Sequence, residues 1–395
     1  MDRFRVPAYV LGGGTNGLGV VRNLGRHGVL VYCVVERHEQ VEYSKFCRKC
    51  YIVPNIEKSG AILRKFLHDV GRRAGGGVLF PTSDLFSLNL SELKEEVEDD
   101  YHVPLPSYEV VKKLVDKKEF YQSLSEFGVP YPITQFPESL EDARRISKEI
   151  GYPVFVKPIR SQEFQLRFKK KGFFANTASE LIRYYAFATE SDCKVMFQQV
   201  IPGLAAKNVY GIEGYFDQAS EFKAIFAHIR LRGWPPIFGN TCLRESIPVS
   251  DISAQVEVTR NYLRHLSYHG LMEAEWKRDP RDGSFKLLEI NPRQSMQNAL
   301  PSRCGINLIL IAYLDAIDEK IKDSYGYEKG IKWANFLQDL ASAMETRMTF
   351  REYVSSLRNI REWSYLASDD VSPWLISNLE TAKEVVARIR TGTLT

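Results

Sequence analysis

The sequence predicts an α/β unit, a parallel sheet flanked by helices, followed by an α+β part and a helical C-terminal extension. Three observations carry this. The chain opens with strand, glycine-rich turn, helix and strand. Near Ser107 that alternation gives way to paired helices and strands of different spacing. Further on, Glu273-Ala274-Glu275-Trp276 and Leu287-Leu288-Glu289-Ile290-Asn291 read as two arms of a hairpin joined by the turn chemistry of Asp279-Pro280-Arg281-Asp282-Gly283.

In chain order, Ala8-Tyr9-Val10-Leu11 is a short apolar strand, and Gly12-Gly13-Gly14-Thr15-Asn16-Gly17 leads into a helical pattern through Gly25. A second strand, Val29 to Val35, ends in Glu36. Gly12, Gly14 and Gly17 fit the G-x-G-x-x-G spacing, with Glu36 near the place of a ribose acid, so a dinucleotide reading stays open here. A glycine-rich turn into a helix equally serves any small anion, or lets the helix pack closely. The third strand, Gly77 to Pro81, is followed by Thr82-Ser83-Asp84 as a helix cap, and an acidic helix is expected over Ser91 to Asp100.

Beyond Ser107, Asp116-Lys117-Lys118-Glu119-Phe120 lies in a helix running toward Gly128-Val129-Pro130. A helix from Leu140 to Ile150 leads to the strand Pro153 to Pro158, where Lys157 needs an anionic partner. A basic loop with Lys169, Lys170 and Lys171 precedes the strand Val195 to Gly203; such a loop is a solvated charge run or a lid over phosphate. The strand Phe222 to Leu231 sets His228, Arg230 and Arg232 on one face, while Gly239 to Ser246 is polar and turn-rich. From Gly330, helical spacing of Trp333, Phe336, Leu337 and Leu340, then of Tyr353, Leu357 and Ile360, predicts helices packed on the preceding part or docking a partner or second copy.

The chemistry concentrates in the hairpin. Side chains alternate along a strand, so Glu289 and Asn291 point the same way, Glu273 and Glu275 do likewise on the other arm, three or four oxygens gather on one surface, and Leu288 and Ile290 are expected in apolar packing. Such oxygens repel one another unless a cation fills the site, and hard oxygen ligands beside phosphate suit Mg²⁺; a solvated hairpin face is the competing account. Composition narrows the class. With 395 residues, 44% hydrophobic and 12% aromatic, the chain buries a sizeable core in two or three domains. A net charge of +4, from 53 basic and 49 acidic residues, argues against nucleic acid as partner. The six cysteines include one Cys-x-x-Cys pair, Cys47 and Cys50, without a second to complete a zinc site. The longest apolar run, Leu308 to Leu314, is too short to span a bilayer, and the N-terminus lacks a signal-peptide pattern, so a cytoplasmic setting is expected.

The ordered set Asp116-Lys117, Gly128-Val129-Pro130, Pro153-Val154-Phe155-Val156-Lys157-Pro158, Gln198 to Gly203, Glu275 and Glu289-Ile290-Asn291-Pro292-Arg293 resembles the ATP-grasp superfamily, in particular carboxylate–amine ligases of the D-aspartate-ligase-like and carbamoyl-phosphate-synthase-like kind. The resemblance covers roughly residues 1 to 320. It implies an ATP-grasp fold with a Rossmann-like pre-ATP-grasp domain (1–110), a small subdomain and lid (111–203), a central catalytic subdomain (204–325) and the helical extension (326–395). It further implies ATP and Mg²⁺ or Mn²⁺ as cofactors. Lys117 and Lys157 would contact the phosphates, with Lys171 and Arg230 as further candidates. Gln198, Gln199 and Ile201 would line the adenine. Glu275, Glu289 and Asn291 would hold metal, and Arg293 would stabilise the transferring phosphoryl group. Gly14 in the glycine-rich loop would face the substrate, Arg244 would bind its carboxylate, and Glu273, Ser295 and Asn298 are weaker substrate candidates, helix capping or a salt bridge accounting for them equally. The implied reaction joins a small-molecule carboxylate to an amine, with ATP becoming ADP and phosphate. The sequence departs from the family at Leu204-Ala205-Ala206-Lys207-Asn208, where an acidic ribose ligand is often found, and in a lid without internal glycine. A nucleotide-binding protein without turnover and an NAD-dependent oxidoreductase remain as alternatives.

Overall fold

A computed structural model of the chain describes residues 4–159, 172–203, 208–236 and 239–379. Lys171, the rest of the basic loop over 160–170 and the segment 204–207 lie outside them.

The first sheet has the order β3-β2-β1-β4-β5, from β1 (Ala8–Leu11), β2 (Val31–Val35), β3 (Cys47–Ile52), β4 (Gly77–Pro81) and β5 (Tyr101–His102), all parallel. Continuous apolar runs such as Ala8–Leu11 and Gly77–Pro81 suit strands covered on both faces, and both are wholly buried. Helix α1 (Gly14–Gly25) covers one face. Helices α2 (Gly60–Ala74) and α3 (Asp84–Val97) cover the other. The strand β3 went unpredicted because exposed Arg48 and Lys49 mask its pattern; the Cys47–Cys50 stretch is an edge strand with a register shift. The acidic helix starts earlier than expected: Ser83 caps it by accepting from the Phe86 amide, so it runs over Asp84–Val97.

Helices α4 (Tyr108–Val115) and α5 (Lys117–Phe127) lead into a four-stranded antiparallel sheet, β6-β9-β7-β8, made of β6 (Thr134–Gln135), β7 (Val154–Pro158), β8 (Phe173–Ala175) and β9 (Val195–Gln199). The third sheet has seven strands in the order β14-β13-β10-β11-β12-β15-β16. It comprises β10 (Val209–Phe216), β11 (Phe222–Trp234), β12 (Asn240–Ile247), β13 (Gly270–Arg278), β14 (Phe285–Asn291), β15 (Lys332–Ala334) and β16 (Ile360–Trp363).

Three expectations change here. The polar stretch Gly239–Ser246 is no loop: Asn240–Ile247 forms β12, paired on both edges, so its backbone groups are satisfied within the sheet and Cys242, Leu243 and Arg244 are buried. The C-terminal part contributes strands as well as helices. Trp333 lies in β15, and Ile360 opens β16 after the helix Phe350–Ser356 has ended. Finally, the register of the hairpin shifts between Glu275 and Trp276, so Leu287, not Leu288, joins Ile290 in the core.

One face of the seven-stranded sheet changes character along its strands. Tyr215, Phe226 and Leu271 pack in the core beneath the helix Leu308–Ala316. Two residues along each strand stand Glu213, His228 and Glu273, and then Arg230 on β11 and Glu275 on β13. The chain also closes on itself: Asp370 accepts from the Arg22 Nε (2.9 Å) and Ser44 Oγ (2.7 Å), and Asp369 pairs with Arg26 (2.9 Å), pinning the C-terminal segment onto α1. Among the described residues, no helix is long and apolar enough to cross a membrane.

Candidate active site

The hairpin arms pair Glu275 with Glu289 and Glu273 with Asn291 across the ladder. Two carboxylates directly opposite on adjacent strands repel, and each has a cation within reach. Lys117, at the first position of α5 after its cap Asp116, places Nζ 3.4 Å from Glu289 Oε2. Arg230 Nη2 stands 2.9 Å from Glu275 Oε1. Arg293, just past the strand end, donates from Nη2 to Asn291 Oδ1 (3.3 Å) and from Nε to Asp84 Oδ1 (2.8 Å).

These neighbours set the protonation. Burial alone would raise the Glu289 carboxyl, but Lys117, Lys157 and Arg293 outweigh it and bring it down to about 2. Burial likewise opposes charge on Lys117, yet the nearby Glu289 leaves its ammonium pKa raised. The face therefore holds ionised carboxylate oxygens and charged nitrogens side by side.

The small sheet is anchored to this face. Tyr121, one turn along α5, donates to Leu288 O (2.8 Å), and Gln198 Nε2 donates to Tyr121 Oη (2.8 Å) and Thr134 Oγ1 (3.0 Å). The carbonyl of buried Ile201, just beyond β9, accepts from Lys277 Nζ (2.9 Å), with half-buried Gln199 beside it in the chain. The candidate adenine-lining segment thus adjoins the end of β13, two residues past Glu275.

Arg244, Glu273 and Ser295 lie deeper. Arg244 is fully buried; its Nη2 approaches Glu213 Oε1 (2.7 Å) and donates to Gln297 O (2.7 Å) and Ser295 Oγ (3.1 Å), while Nη1 meets His228 Nε2 at 3.0 Å. Ser295 in turn donates to Glu213 Oε2 (2.9 Å). Burial, then the Glu213 and Glu275 charges, pushes Glu273 up to about 8. Glu213, His228 and Glu273 bring ligand atoms within 4.8 Å of one another, a metal-like donor set, but the Arg244 guanidinium already stands among them as the cation. Asn298 fixes the loop after Arg293 to α1, donating to Asn16 O (3.1 Å) and Asn16 Oδ1 (2.9 Å). The structure thus brings Lys117, Arg230, Glu275, Glu289, Asn291 and Arg293 together, with Lys157 in electrostatic reach, and sets Arg244, Ser295 and Asn298 beneath and behind them. Arg232 leaves this face: the strand register shifts after Arg230, and Arg232 forms two bonds to Asp339 (2.6 and 2.7 Å).

Gly14 borders a separate cavity of about 400 Å³ at the C-terminal ends of β1, β2 and β4, together with Glu36, Glu39, Glu57 and Thr82. Gly14 has φ +59° and open space where a side chain would point. Glu39 accepts from the Gly14 amide and lies so close to Gly13 that a Cβ there would clash with its carboxylate. Sequence reasoning missed Asp84, Tyr121 and Glu213. Asp84 stood only as a helix cap, and the alternation of Glu213 with Tyr215 was the available sign of the polar face.

No protein-family model matches the chain. It is 24% identical to the D-aspartate ligase of Enterococcus faecium over 82% of its own length and 80% of that protein. It is 26% identical to the carbamoyl phosphate synthase large chain of Caldanaerobacter subterraneus over 65% of its length, spanning about a quarter (23%) of that relative. Its fold matches N5-carboxyaminoimidazole synthetase from Staphylococcus aureus with a TM-score of 0.66 at 15% identity, over 87% of this chain and 86% of that one; the same synthetase has been solved with ADP. The chain is a homologue of D-aspartate ligase and carbamoyl phosphate synthase, built on the fold of the ATP-grasp carboxylate–amine ligases.

Proposed function

We propose that the protein is an ATP-dependent carboxylate–amine ligase, and that the face shared by Lys117, Arg230, Glu275, Glu289, Asn291 and Arg293 is where ATP reacts. The observation that carries this reading is the pairing of Glu275 opposite Glu289 within one ring of cations. Carboxylates so placed suit a divalent cation, and the cations around them suit phosphate.

Glu275, Glu289 and Asn291 would hold Mg²⁺, with Mn²⁺ as a substitute. The metal, when bound, neutralises phosphate charge and orients the transferring group. Glu289 is ionised for that task at any pH above about 2. Lys117 and Lys157 would pass from carboxylate to phosphate oxygens, and Arg293 would meet the charge that develops as phosphate moves to the substrate carboxylate. The resulting acylphosphate is attacked by the amine, forming the amide and expelling phosphate. Lys171 and its neighbours would exclude water from that intermediate. Gln198, Gln199 and Ile201 would wall the adenine. Arg244 and Glu273, enclosed as they are, would shape the floor of the substrate site instead of touching substrate, with Ser295 and Asn298 holding the loop above it.

The crevice at Gly14 would take one small substrate, since ligands of open parallel sheets bind beyond the strand ends where the order diverges from a central strand. Glu39 disfavours a dinucleotide there: its carboxylate occupies the helix N-terminus that a pyrophosphate would need. The four units expected from the resemblance remain the working division, with the last one contributing β15 and β16 to the catalytic sheet.

The test is purified protein with MgATP and pools of amino acids, amines and hydroxy acids, followed by ADP release and product mass. Metal-dependent ADP release that requires both an acid and an amine supports the ligase. Nucleotide binding without turnover across the panel overturns it.

A further inference from the structure

The Arg293 guanidinium is held from outside its own sheet. Its Nε donates to Asp84 Oδ1 at 2.8 Å, its Nη1 to Gln294 O at 3.2 Å and its Nη2 to Asn291 Oδ1 at 3.3 Å. Of the five N–H groups of a guanidinium, two are left for an anion among the described residues. Two of those three bonds come from residues within two positions of Arg293 in sequence. The third, the charge-assisted one, comes from the first residue of α3.

That turn of α3 is set firmly. Ser83 caps it, and Ser87 Oγ donates to Pro292 O at 3.2 Å. Gln294 Nε2 donates to Pro81 O at 2.9 Å, and Asn16 Nδ2 to Thr82 O at 2.8 Å. The β4–α3 corner is therefore locked to the 292–294 loop on one side. On its other side, Thr82 and Ser83 line the crevice beside Gly14.

We infer that Asp84 is a positioning residue for phosphoryl transfer: it fixes the guanidinium plane of Arg293 and so ties the aim of that arginine to the strand ends that line the crevice. The inference rests on the ligase reading above. A fixed Nε leaves the guanidinium one orientation about the Cδ–Nε bond, and small misplacements of a group that stabilises a transition state are costly. Arg293 keeps 17% of its side-chain surface and Asp84 43%, and after Asp84→Asn the guanidinium still has the Glu289 carboxylate nearby as a compensating charge.

The probe is MgADP with aluminium fluoride, a mimic of the phosphoryl group in transfer, compared with MgADP alone. Asp84→Asn should weaken trapping of the fluoride complex by about 10-fold or more while MgADP affinity stays within about 2-fold. In an Arg293→Ala background the same change should have no further effect. Ser87→Ala, which removes the neighbouring contact and leaves Arg293 bonded, should trap like the parent. The inference is overturned if Asp84→Asn traps like the parent, if it weakens MgADP equally, if the loss persists without Arg293, or if Ser87→Ala matches it. Failure of the parent itself to bind MgADP or trap the complex sinks the ligase reading instead.

Discussion

On the hairpin, Glu289 and Glu275 keep 30% and 17% of their side-chain surface, whereas on the same face of the sheet Glu213 and Arg244 keep 2% and 0%. The residue types are the same, carboxylates against guanidinium or ammonium, and the environments make them different devices. The outer charges are held at 2.9–3.4 Å by partners that are themselves partly exposed, so they can exchange one counter-ion for another. The inner cluster is enclosed, with Arg244 meeting Glu213, His228, Ser295 and Gln297 at once. Removing one member there strands the others away from water. The outer set is suited to a ligand and the inner set to a shape.

The sharpest way to break that contrast is Arg244→Met, which leaves Glu213 buried without its cation; unfolding stability measured in denaturant should fall by about 3–5 kcal/mol. A loss below about 1 kcal/mol would mean that the inner cluster is not the fixed element described. Glu289→Ala should do the opposite, keeping stability near that of the parent and lowering ADP-forming turnover by about 100-fold, equivalent to about 2.7 kcal/mol in the barrier. Activity equal to the parent would remove Glu289 from the metal site.

A pH series sharpens the inner half. Burial, then Arg244 and Arg230, lowers His228 well below its ordinary value, so the unfolded chain binds a proton that the folded chain refuses. The stability this contributes is complete above about pH 6.5 and drains away as pH falls below it. Because the raised Glu273 carboxyl gives an opposite slope in the same window, the His228 contribution is read as a difference in chemical denaturation: from pH 7 to 5 His228→Gln should gain stability relative to the parent, and a constant difference assigns the effect elsewhere. The smallest effect is expected from Glu273→Gln. Because the folded carboxyl is raised to about 8, the folded state holds a proton that the unfolded chain loses above about pH 4.5, and stability falls as pH rises from there toward 8. The neutral amide should therefore cost less than about 1 kcal/mol at pH 7 and remove that decline, as denaturation at pH 5 and pH 8 would show.

The outer face was legible in the sequence because its residues sit on strands of simple alternation: Glu275, Glu289 and Asn291 follow the two-residue period, and Lys117 follows a recognisable cap. Legibility stopped where a single register shift intervened. One extra residue exchanged Leu288 for Leu287 in the core, and another turned Arg232 away from Arg230 toward Asp339. Asn240–Ile247 looked like a loop because its polar side chains find partners only in tertiary structure, Arg244 on Glu213 and Ser246 on the Glu328 carbonyl. Asp84 was invisible as a partner of Arg293 for the same reason: 209 residues separate them, and nothing local records the meeting.

The clamp of Asp369 and Asp370 on α1 has a consequence for how the chain is made. Arg22 is buried, and its partners Tyr365 O and Asp370 are more than 340 residues downstream. During synthesis α1 emerges more than 340 residues ahead of the groups that compensate its charge. At 5–20 residues per second that interval is on the order of 20–70 s. Over that time the first sheet has its strands, while the buried arginine of α1 lacks the partners that compensate it.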